Sequence, residues 1–301
     1  AVDRSPGLDG FCASSIWSFA AAASFPEVAP PVVVGDGRAF CGLRRSETDD
    51  GRVLVGLDPV WGFASPVVGS PMAAAEMLVH RVDIEDDWDA AVIAGQREDS
   101  MLTAAIARVA EGRWTLFRGP DEHRLRADLD DGFDAWFARR SSRFRQRMRR
   151  LERDAATSGV EIVDVSAAAP DDVFDRLLAI EASGWKGSDG TGLVSPDLAD
   201  FYRRMCVRLA GRDHLRVMVA RSGETDIGFV LGGVRGDHYR GLQLSYHRDH
   251  ADAGVGHLLQ MAQIRALADE AVRLYDLGMD MPYKHRWADR TDTTFAIIVR
   301  P

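Results

Sequence analysis

The order of secondary-structure elements after Gly159 constrains the fold of this chain more than any other feature of its sequence. Short apolar runs alternate with longer amphipathic stretches, and glycines stand at the turns. The predicted elements are Val160–Val165, Pro170–Ser183, Ser195–Leu209, Leu215–Ala220, Ile227–Val234, Tyr239–Tyr246, Gly254–Ala271, Leu274–Leu277 and Thr294–Val299. They are a strand, two helices, three strands, a helix and two final strands. This order predicts a mixed sheet that is mostly antiparallel early and has one helical crossover late.

The first part of the chain predicts an α+β arrangement of its own, without a glycine-rich phosphate loop. Apolar runs separated by Gly, Asp and Pro are typical of strands at Pro31–Val34, Ala39–Leu43, Val53–Leu57, Trp88–Ile93 and Arg113–Phe117, with a further one near Leu125. Helices are predicted at Ile16–Phe25, Met72–His80 and Ser100–Val109. A chain of 301 residues is long enough for two domains. The predicted fold class is therefore α+β with a mixed sheet.

The net charge of −9 lies entirely in the first part of the chain. Residues 1–130 carry 12 basic and 21 acidic side chains, which gives −9, whereas residues 131–301 carry 25 of each. Because nucleic-acid backbones are anionic, an acidic half argues against a general nucleic-acid-binding protein.

Cysteine use and hydropathy favour a cytoplasmic protein. Cys12, Cys41 and Cys206 are far apart and match no metal-ligand spacing, so neither a disulfide framework nor a metal site is expected. The apolar run Ile16–Phe25 is too short to span a bilayer, and the acidic residues before it are atypical of a signal peptide. We therefore expect no stable membrane insertion.

A basic helix is predicted over Phe133–Ala156. Apolar side chains recur on one side at helical spacing. The other side carries Arg139, Arg140, Arg143, Arg145, Arg147, Arg149, Arg150 and Arg153. Two interpretations stay open: a solvated face that meets the acidic first part, or a binding surface for phosphate or an anionic polymer. We expect the helix to join two domains and not to bind nucleic acid.

The predicted crossover after Tyr246 carries the turn Ala253-Gly254-Val255-Gly256-His257-Leu258. Glycines between a strand and a helix let backbone N–H groups converge on an anion at the helix N-terminus. The turn is not a Walker loop, since no Gly-Lys-Ser/Thr follows, and it lacks the third glycine of a dinucleotide-binding motif. The alternative is a tight turn with a glycine N-cap and no ligand.

Two lysines, Lys186 and Lys284, stand among 35 arginines. Each follows an aromatic residue in a loop, in Trp185-Lys186-Gly187 and in Pro282-Tyr283-Lys284. Lysine is a compact charge with a tunable pKa, whereas arginine is a planar fork that stays charged. We predict that the two loops converge on one cleft, with Lys284 nearer the chemistry. The alternative is that the two lysines fell in loops by chance.

The element order around the glycine turn resembles the GNAT acyltransferase fold, in which this turn holds the pyrophosphate of acyl-coenzyme A. The segments Asp276–Trp287, Glu181–Gly187 with Gly190–Gly192, Phe144–Arg150 and Asp87–Asp89 resemble its CelD/BcsL-type branch, named for cellulose-biosynthesis loci. The resemblance covers nearly the whole chain. It implies two tandem GNAT-like domains with the first one degenerate, as in the related Fem-type transferases.

The implied domain bounds are 1–131 for the degenerate domain, 132–158 for the arginine-rich linking helix and 159–301 for the C-terminal acyltransferase domain. One departure from the common pattern is Ala251. Most GNAT proteins have Arg or Gln at that position, three residues before the first glycine of the turn.

The resemblance implies an N-acyltransferase that moves an acyl group, most simply acetyl, from acyl-coenzyme A to a primary amine by direct attack on the thioester. The residues implied to bind the coenzyme are Leu244, Ser245, Tyr246, Gly254, Val255, Gly256, His257 and Leu258. Backbone amides of Gln243–Tyr246 are the implied donors to the developing oxyanion.

Catalytic and substrate-binding candidates come from the two family-like loops. The candidate bases are Glu181, Asp276 and Asp280, and a nearby Lys284 would keep Asp280 ionised. Tyr283 is the candidate proton donor to the leaving thiolate, and Tyr246 is a second one. Trp185, Lys186 and Trp287 are the candidate substrate-binding residues.

Two other functions stay open. A Fem-like aminoacyl transferase would use the same tandem fold with charged tRNA as donor, and a non-catalytic sensor or binding module would use the scaffold alone. The acceptor of an acyltransferase is left open between an amino sugar, a polysaccharide precursor, an antibiotic-like amine and a protein lysine. A homodimer is the expected assembly if the chain associates.

Overall fold

The computed structural model of the chain describes every residue except 1, 6, 26–29, 50, 59 and 185–191, and Arg4 only in its backbone. The chain divides into two compact units. The first unit comprises Ala1–His123 and Thr293–Pro301, and the second comprises Arg124–Asp292.

The described residues form the following elements. The strands are β1 (Val32–Gly35), β2 (Ala39–Thr48), β3 (Gly51–Gly56), β4 (Val67–Gly69), β5 (Ala90–Gln96), β6 (Thr115–Asp128), β7 (Val160–Asp164), β8 (Leu215–Ser222), β9 (Thr225–Arg235), β10 (His238–Tyr246), β11 (Leu274–Met279) and β12 (Arg290–Arg300). The helices are α1 (Ser15–Ser24), α2 (Pro71–Asp83), α3 (Met101–Ala110), α4 (Gly132–Ala138), α5 (Ser142–Ser158), α6 (Pro170–Ala182), α7 (Pro196–Ala210) and α8 (Val255–Asp269). Short 3₁₀ turns lie at Val2–Arg4, Gly192–Val194, Arg248–Ala253 and Pro282–Lys284.

The first unit has a mixed sheet with the strand order β1-β2-β3-β5-β12-β6, and β4 pairs with β2. Strands β1, β2 and β3 are antiparallel neighbours, whereas β3 and β5 are parallel. The core lies between this sheet and helices α2 and α3, where Leu43, Leu54 and Ile93 pack with Leu78 and Ile106. Burial of such aliphatic side chains is the main stabilising term of a unit of this size.

The second unit has a sheet of the order β6-β11-β10-β9-β8-β7, in which β6 takes part from Arg124 onward. Neighbouring strands are antiparallel except for β10 and β11, which are parallel and are joined through α8. This arrangement confirms the predicted mixed sheet with antiparallel strands first and one helical crossover late.

Two groups of buried side chains hold the second unit together. One group brings α4, α5 and α8 together around Trp136, Phe144, Ile264 and Trp287. The other packs the first turns of α8 on the sheet and includes Val255, Leu259, Ile227 and Val230. The start of α8 is therefore held by packing on both strands and helices.

The predicted single helix over Phe133–Ala156 is wrong, because the chain forms two helices, α4 and α5, with a break at 139–141. The side chain of Ser141 accepts the backbone N–H of Phe144 at 3.2 Å and so caps a new helix. Nη1 of Arg140 donates to Ala288 O at 2.7 Å, so the Arg140 side chain points toward the segment between β11 and β12. Arg139 and Arg140 both pair with Asp289.

Three strand predictions differ from the structure. The runs Arg113–Phe117 and Leu125 belong to one long strand, β6, and the strand predicted from Trp88 begins at Ala90. The last strand, β12, was expected within a domain over 159–301, whereas Thr293–Pro301 belongs to the first unit. There, Ile297 and Val299 pair with Ile93 and Ala91 of β5. Pairing between residues so distant in sequence leaves no local signal.

Candidate active site

Strands β10 and β11 separate at the centre of the second unit. They pair in parallel over three residues, His238–Arg240 with Leu274–Asp276, and each strand then continues beyond its last partner. Past this point β10 runs to Tyr246 paired with β9. The opening beyond Arg240 and Asp276 is called the β10–β11 wedge below. Its β10 edge carries the backbone amides of Gln243–Tyr246 that were predicted to face an oxyanion.

A β-bulge in β10 decides which side chains face each side of the sheet. The register with β9 shifts between Gly241 and Gln243, and a bulge inserts one extra residue and so changes the alternation. After the shift, Leu244 and Tyr246 point toward the start of α8, since a Cβ atom added at Gly256 would lie 3.3 Å from Leu244 Cδ2 and 3.0 Å from Tyr246 Cε1.

The other side chains of this stretch point toward α6 and α7. Nε2 of Gln243 donates to the Tyr202 hydroxyl at 2.9 Å. Ser245 is 1% exposed and lies beside Gly184, where an added Cβ atom would be 3.4 Å from Ser245 Oγ. The free end of β10 therefore has an α8 face and a more polar α6–α7 face.

The glycine turn at Gly254 packs closely against a neighbouring helix. Gly254 has φ +68°, a left-handed conformation that other residues adopt at a cost, and a Cβ atom there would lie 2.7 Å from Leu151 Cδ2 of α5. Its carbonyl accepts N–H groups of His257 and Leu258 at 2.9 and 3.2 Å. These bonds begin α8 directly at the wedge.

Positive charge surrounds the start of α8. The imidazole of His257 has its pKa lowered to about 4 by burial, by Arg147 of α5 and by Arg286. His257 is therefore neutral at pH 7, while the two exposed guanidiniums remain charged. Together with the partial positive charge of a helix N-terminus, they give this turn the electrostatics of an anion site.

The segment after β11 contains Asp280, Tyr283, Lys284 and His285. Nε2 of His285 lies 2.7 Å from Asp280 Oδ1, and both side chains are accessible to solvent. Nζ of Lys284 donates to Met279 O at 3.2 Å, and the side chain that contacts the Asp280 carboxylate is His285. Burial and the neighbouring Tyr246 raise the pKa of Tyr283, so its phenol keeps its proton at pH 7.

Asp276 is a structural anion, which corrects its candidacy as a base. It is 3% exposed, and its carboxylate pairs with Arg240 at 2.7 Å and with Arg124 at 3.2 Å, and accepts the backbone N–H of Gly278 at 2.8 Å. The three strands β6, β10 and β11 are thus tied together at the last residue before the wedge opens. Removal of one partner of a buried pair costs about 3–5 kcal/mol.

Glu181 and Trp287 are both buried. Glu181, at the end of α6, is 0% exposed, and its Oε1 accepts the backbone N–H of Leu193 at 2.6 Å. Trp287 was predicted to bind substrate, but its indole is 2% exposed and packs on Trp136 and Phe144, with centroid separations of 6.0 and 4.9 Å. Trp287 therefore holds the segment after β11 against α4 and α5.

The remaining predicted coenzyme residues lie together at the turn. Val255 and Leu258 are buried beneath it, and a Cβ atom added at Gly228 of β9 would lie 2.7 Å from Val255 Cγ1. Trp185 and Lys186 lie outside the described residues, so the convergence of the two lysine loops stays a prediction.

Sequence reasoning missed three residues at this site. Arg147 was seen only as one of eight arginines on a helix face, and Arg286 and His285 were given no role. Arg147 lies one helical turn before Leu151, which packs on Gly254. A cation on the same helix face as a residue that contacts the glycine turn is a signal that could have identified it.

Neither a metal centre nor a membrane span emerges from the described ranges. No group of three or more His, Cys, Asp or Glu side chains within them is arranged to hold a metal ion. Every helix in the same ranges is too short or too polar to cross a bilayer. The three cysteines are buried, and burial raises the pKa of Cys41 and of Cys206 to about 12, so both stay protonated.

Comparison with known proteins identifies the domain that carries this site. Residues 142–285, which run from α5 to the segment after β11, match the family model "Acetyltransferase (GNAT) domain". No curated protein matches the chain in sequence.

Solved structures share the fold at low sequence identity. FemX is 10% identical, with a TM-score of 0.63, and the match covers 98% of this chain and 93% of FemX. A conserved protein of unknown function from Bacteroides thetaiotaomicron is 12% identical, with a TM-score of 0.62 and coverages of 94% and 90%. L-PGS from Bacillus licheniformis is 10% identical, with a TM-score of 0.59 and coverages of 99% and 89%. Residues 142–285 of this chain are therefore similar to a GNAT-type acetyltransferase domain, and the chain shares the fold of FemX and L-PGS.

Proposed function

We propose that the chain is an N-acyltransferase that moves an acyl group, most simply acetyl, from acyl-coenzyme A to a primary amine. The observation that carries the proposal is the β10–β11 wedge with the glycine turn of α8 at its side. Both lie within the residues that match the acetyltransferase family model. The motifs of the sequence support placement in the CelD/BcsL-type branch, with a cytoplasmic location.

The start of α8 fits the pyrophosphate of the coenzyme. A helix N-terminus offers N–H groups and partial positive charge to phosphate, and Arg147 and Arg286 add two full charges close enough to depress the pKa of His257. Gly256 carries no side chain at the point where the helix meets Tyr246 and Leu244. The donor would then extend along the α8 face of β10 with its thioester in the wedge.

The residues around the wedge supply the chemistry of acyl transfer. Backbone amides of Gln243–Tyr246, on the edge of β10 away from β9, would donate to the oxygen that becomes negative as the amine attacks the carbonyl carbon. The C–S bond then breaks, and the Tyr283 hydroxyl, which stays protonated at pH 7, donates its proton to the leaving thiolate. Tyr246, whose position is close enough to raise the pKa of Tyr283, lines the same region.

The acceptor amine would approach from the solvent-exposed segment after β11. The side chains of Asp280 and His285 there are accessible to solvent, whereas Tyr202, Ser245 and Glu181 on the α6–α7 face are each no more than 2% exposed. Accessible polar groups of this kind suit a hydrophilic amine such as an amino sugar or a polysaccharide precursor better than an apolar one.

Two measurements test the proposal. Isothermal titration calorimetry should show that coenzyme A binds the full chain, and free thiol should be released from acetyl-coenzyme A when glucosamine, spermidine or a lysine peptide is added. Absence of coenzyme A binding at millimolar concentration would overturn the proposal. Binding without thiol release in any amine or in water would favour the non-catalytic module instead.

A Fem-like aminoacyl transferase is the second candidate, because the match to FemX extends over 98% of the chain. In that case charged tRNA would be the donor and the exposed arginines of α5 would contact RNA. Transfer of a labelled aminoacyl group from tRNA to an amine, without coenzyme A binding, would replace the first proposal with this one.

A further inference from the structure

We propose that His285 is the general base that takes the proton of the acceptor amine, and that Asp280 is the residue that positions it. The inference rests on the proposed acyl transfer and names a residue for a step that the sequence had assigned to carboxylates. It is carried by the contact between His285 Nε2 and Asp280 Oδ1 at 2.7 Å in the segment after β11.

The geometry fixes the tautomer of a neutral imidazole at His285. A carboxylate accepts hydrogen bonds only, so Nε2 of a neutral His285 must carry the proton that it donates to Asp280. Nδ1 then holds a lone pair that points away from the carboxylate. His285 is 56% exposed and Asp280 is 35% exposed in their side chains, so an acceptor can reach Nδ1. An oriented imidazole with one free nitrogen is the arrangement that general-base catalysis uses.

The segment that holds the pair runs along the mouth of the wedge. It leaves β11 at Met279, and its Tyr283 lies close enough to Tyr246 of β10 for the two phenols to interact electrostatically. It ends at Trp287, whose indole lies 5.7 Å from the His257 ring at the start of α8. Along the chain, His285 therefore lies between a residue near the proposed thioester site and a residue near the proposed phosphate site.

The charges around His285 come from several elements. Lys284 and Arg286 flank it in the chain, Tyr246 belongs to β10, His257 to α8 and Arg147 to α5. The carboxylate of Asp280 faces the imidazolium that forms when Nδ1 takes the proton of the amine.

The proposed step balances as follows. The amine nitrogen forms a bond to the carbonyl carbon while Nδ1 of His285 takes one N–H proton. The C–S bond then breaks, and the thiolate takes the proton of Tyr283. Water finally restores the proton of Tyr283 and removes that of His285, so the net products are an amide and free coenzyme A.

The test compares His285→Gln and Asp280→Asn with the matched control His238→Gln. His238 also lies beside a carboxylate, that of Asp237 at 3.6 Å, but it stands at the opposite end of β10 and is equally exposed, at 55%. The readout is kcat/KM for thiol release from acetyl-coenzyme A, with glucosamine and with water alone as acceptor, between pH 6 and 10.

We expect His285→Gln to lower kcat/KM at pH 7 by roughly 100-fold to 10,000-fold. Its activity should then rise about tenfold per pH unit, because solution must deliver the free amine, while coenzyme A affinity stays at the wild-type value. Asp280→Asn should give a smaller loss, since its amide can hold the wrong tautomer, and His238→Gln should show none. Added imidazole should restore part of the activity of His285→Gln.

A second measurement does not depend on turnover. Nitrogen-15 NMR of the wild-type protein should show His285 protonated on Nε2, and Asp280→Asn should redistribute that proton. Wild-type kcat/KM and pH profile in His285→Gln would overturn the proposal, as would an Nδ1-protonated ring in the wild type. If the wild-type protein itself bound no coenzyme A, the proposed function would fail. The NMR measurement would still test whether Asp280 fixes the tautomer of His285.

Discussion

Each unit contains two parallel strands joined through a helix, and the two helices begin in different ways. In the first unit β3 and β5 pair over Val53–Leu54 with Ala90–Ala91 and are joined through α2. In the second unit β10 and β11 pair over three residues and are joined through α8. In both units the strands continue past the last pair, and the second strand contains a glycine with positive φ, Gly95 at +67° and Gly278 at +85°.

The opening of the first unit is filled by its own chain. A Cβ atom added at Gly95 of β5 would lie 2.6 Å from Phe63 O, and one added at Gly56 of β3 would lie 3.5 Å from Pro66 Cβ. Phe63–Pro66 thus touches both strands where they separate. In the second unit, the side chains of Lys284 and Arg240 lie near the corresponding Gly278, at 3.5 and 3.7 Å from its added Cβ atom.

The N-termini of α2 and α8 also differ in how well they suit an anion. Helix α2 begins with Ser70 and Pro71, and proline has no N–H to offer to an anion. The N–H of Gly69 already donates to Ser5 Oγ at 2.7 Å. Helix α8 begins with Gly254 and has Arg147 and Arg286 nearby. The shared plan of the two units shows that topology alone does not make an anion site.

Phe63→Ala should have the largest effect on stability. Phe63 is 0% exposed, and truncation of a buried phenylalanine costs about 3–5 kcal/mol. Denaturant unfolding should show this loss. At a temperature where the variant is folded, its coenzyme A affinity should equal that of the wild type. A large loss of affinity in the folded variant would mean that the first unit takes part in donor binding.

Gly256→Glu should abolish most donor binding. Its carboxylate would repel phosphate, and its Cβ atom would press on Tyr246 at 3.0 Å. We expect a loss of at least 100-fold in coenzyme A affinity by calorimetry, which corresponds to about 2.7 kcal/mol. The matched control is Met72→Glu, at the second helical position of α2 and 41% exposed. Unchanged affinity in Gly256→Glu would place the phosphate site elsewhere.

Gly254→Ala should destabilise the protein by about 2 kcal/mol, roughly half from the left-handed backbone and half from the Cβ contact with Leu151. Gly112→Ala in the first unit separates the two contributions. Gly112 has φ +69°, against +68° for Gly254, but a Cβ atom there would meet nothing within 4 Å. Unfolding experiments should therefore give about 1 kcal/mol for Gly112→Ala. Equal losses would contradict the packing assigned to Leu151.

The smallest expected effect is the change of stability with pH that follows from the titration of His257. Its folded-state pKa of about 4 lies below the ordinary value of 6.5, so the unfolded chain binds the proton first as pH falls. Stability should therefore be unaffected by this group above about pH 6.5 and should decline between about pH 6.5 and pH 4. Histidine NMR should show the low pKa, an increase in Arg147→Gln, and a further increase when coenzyme A brings phosphate close. A His257 pKa unaffected by Arg147→Gln would remove that arginine from the site.

The sequence predicted those parts of the second unit that depend on local patterns. The helices after Gly159 carry proline at the first position or a glycine at the start, and the strands are bounded by Gly223 and Gly236, which have positive φ. The turn at Gly254 was predictable because only glycine combines that conformation with close packing. Ser141 and Ser142 are also typical of the start of a helix. The apolar periodicity continues across them, however, and favoured a single longer helix.

The rest of the site depends on geometry that no local pattern encodes. The bulge after Gly241 changes which face Leu244 and Tyr246 occupy, and one extra residue in a strand has no distinctive composition. Asp280 and His285 meet across an irregular segment whose spacing is that of no helix or strand. Trp287 had the sequence context of a ligand contact, yet the aromatic residues of α4 and α5 bury it.

The position of β12 has a consequence for how the chain matures during synthesis. The sheet of the first unit takes its strand between β5 and β6 from residues that the ribosome makes only after the whole of Arg124–Asp292. Until then β5 exposes an edge that β12 will cover, and such an edge is open to pairing with other chains. The first unit can therefore complete its sheet only after about 170 further residues have been synthesised. The second unit has time to fold during their synthesis. A chain released before Thr293 would carry a complete second unit and an incomplete first unit, with the edge strand of the first unit available for aggregation.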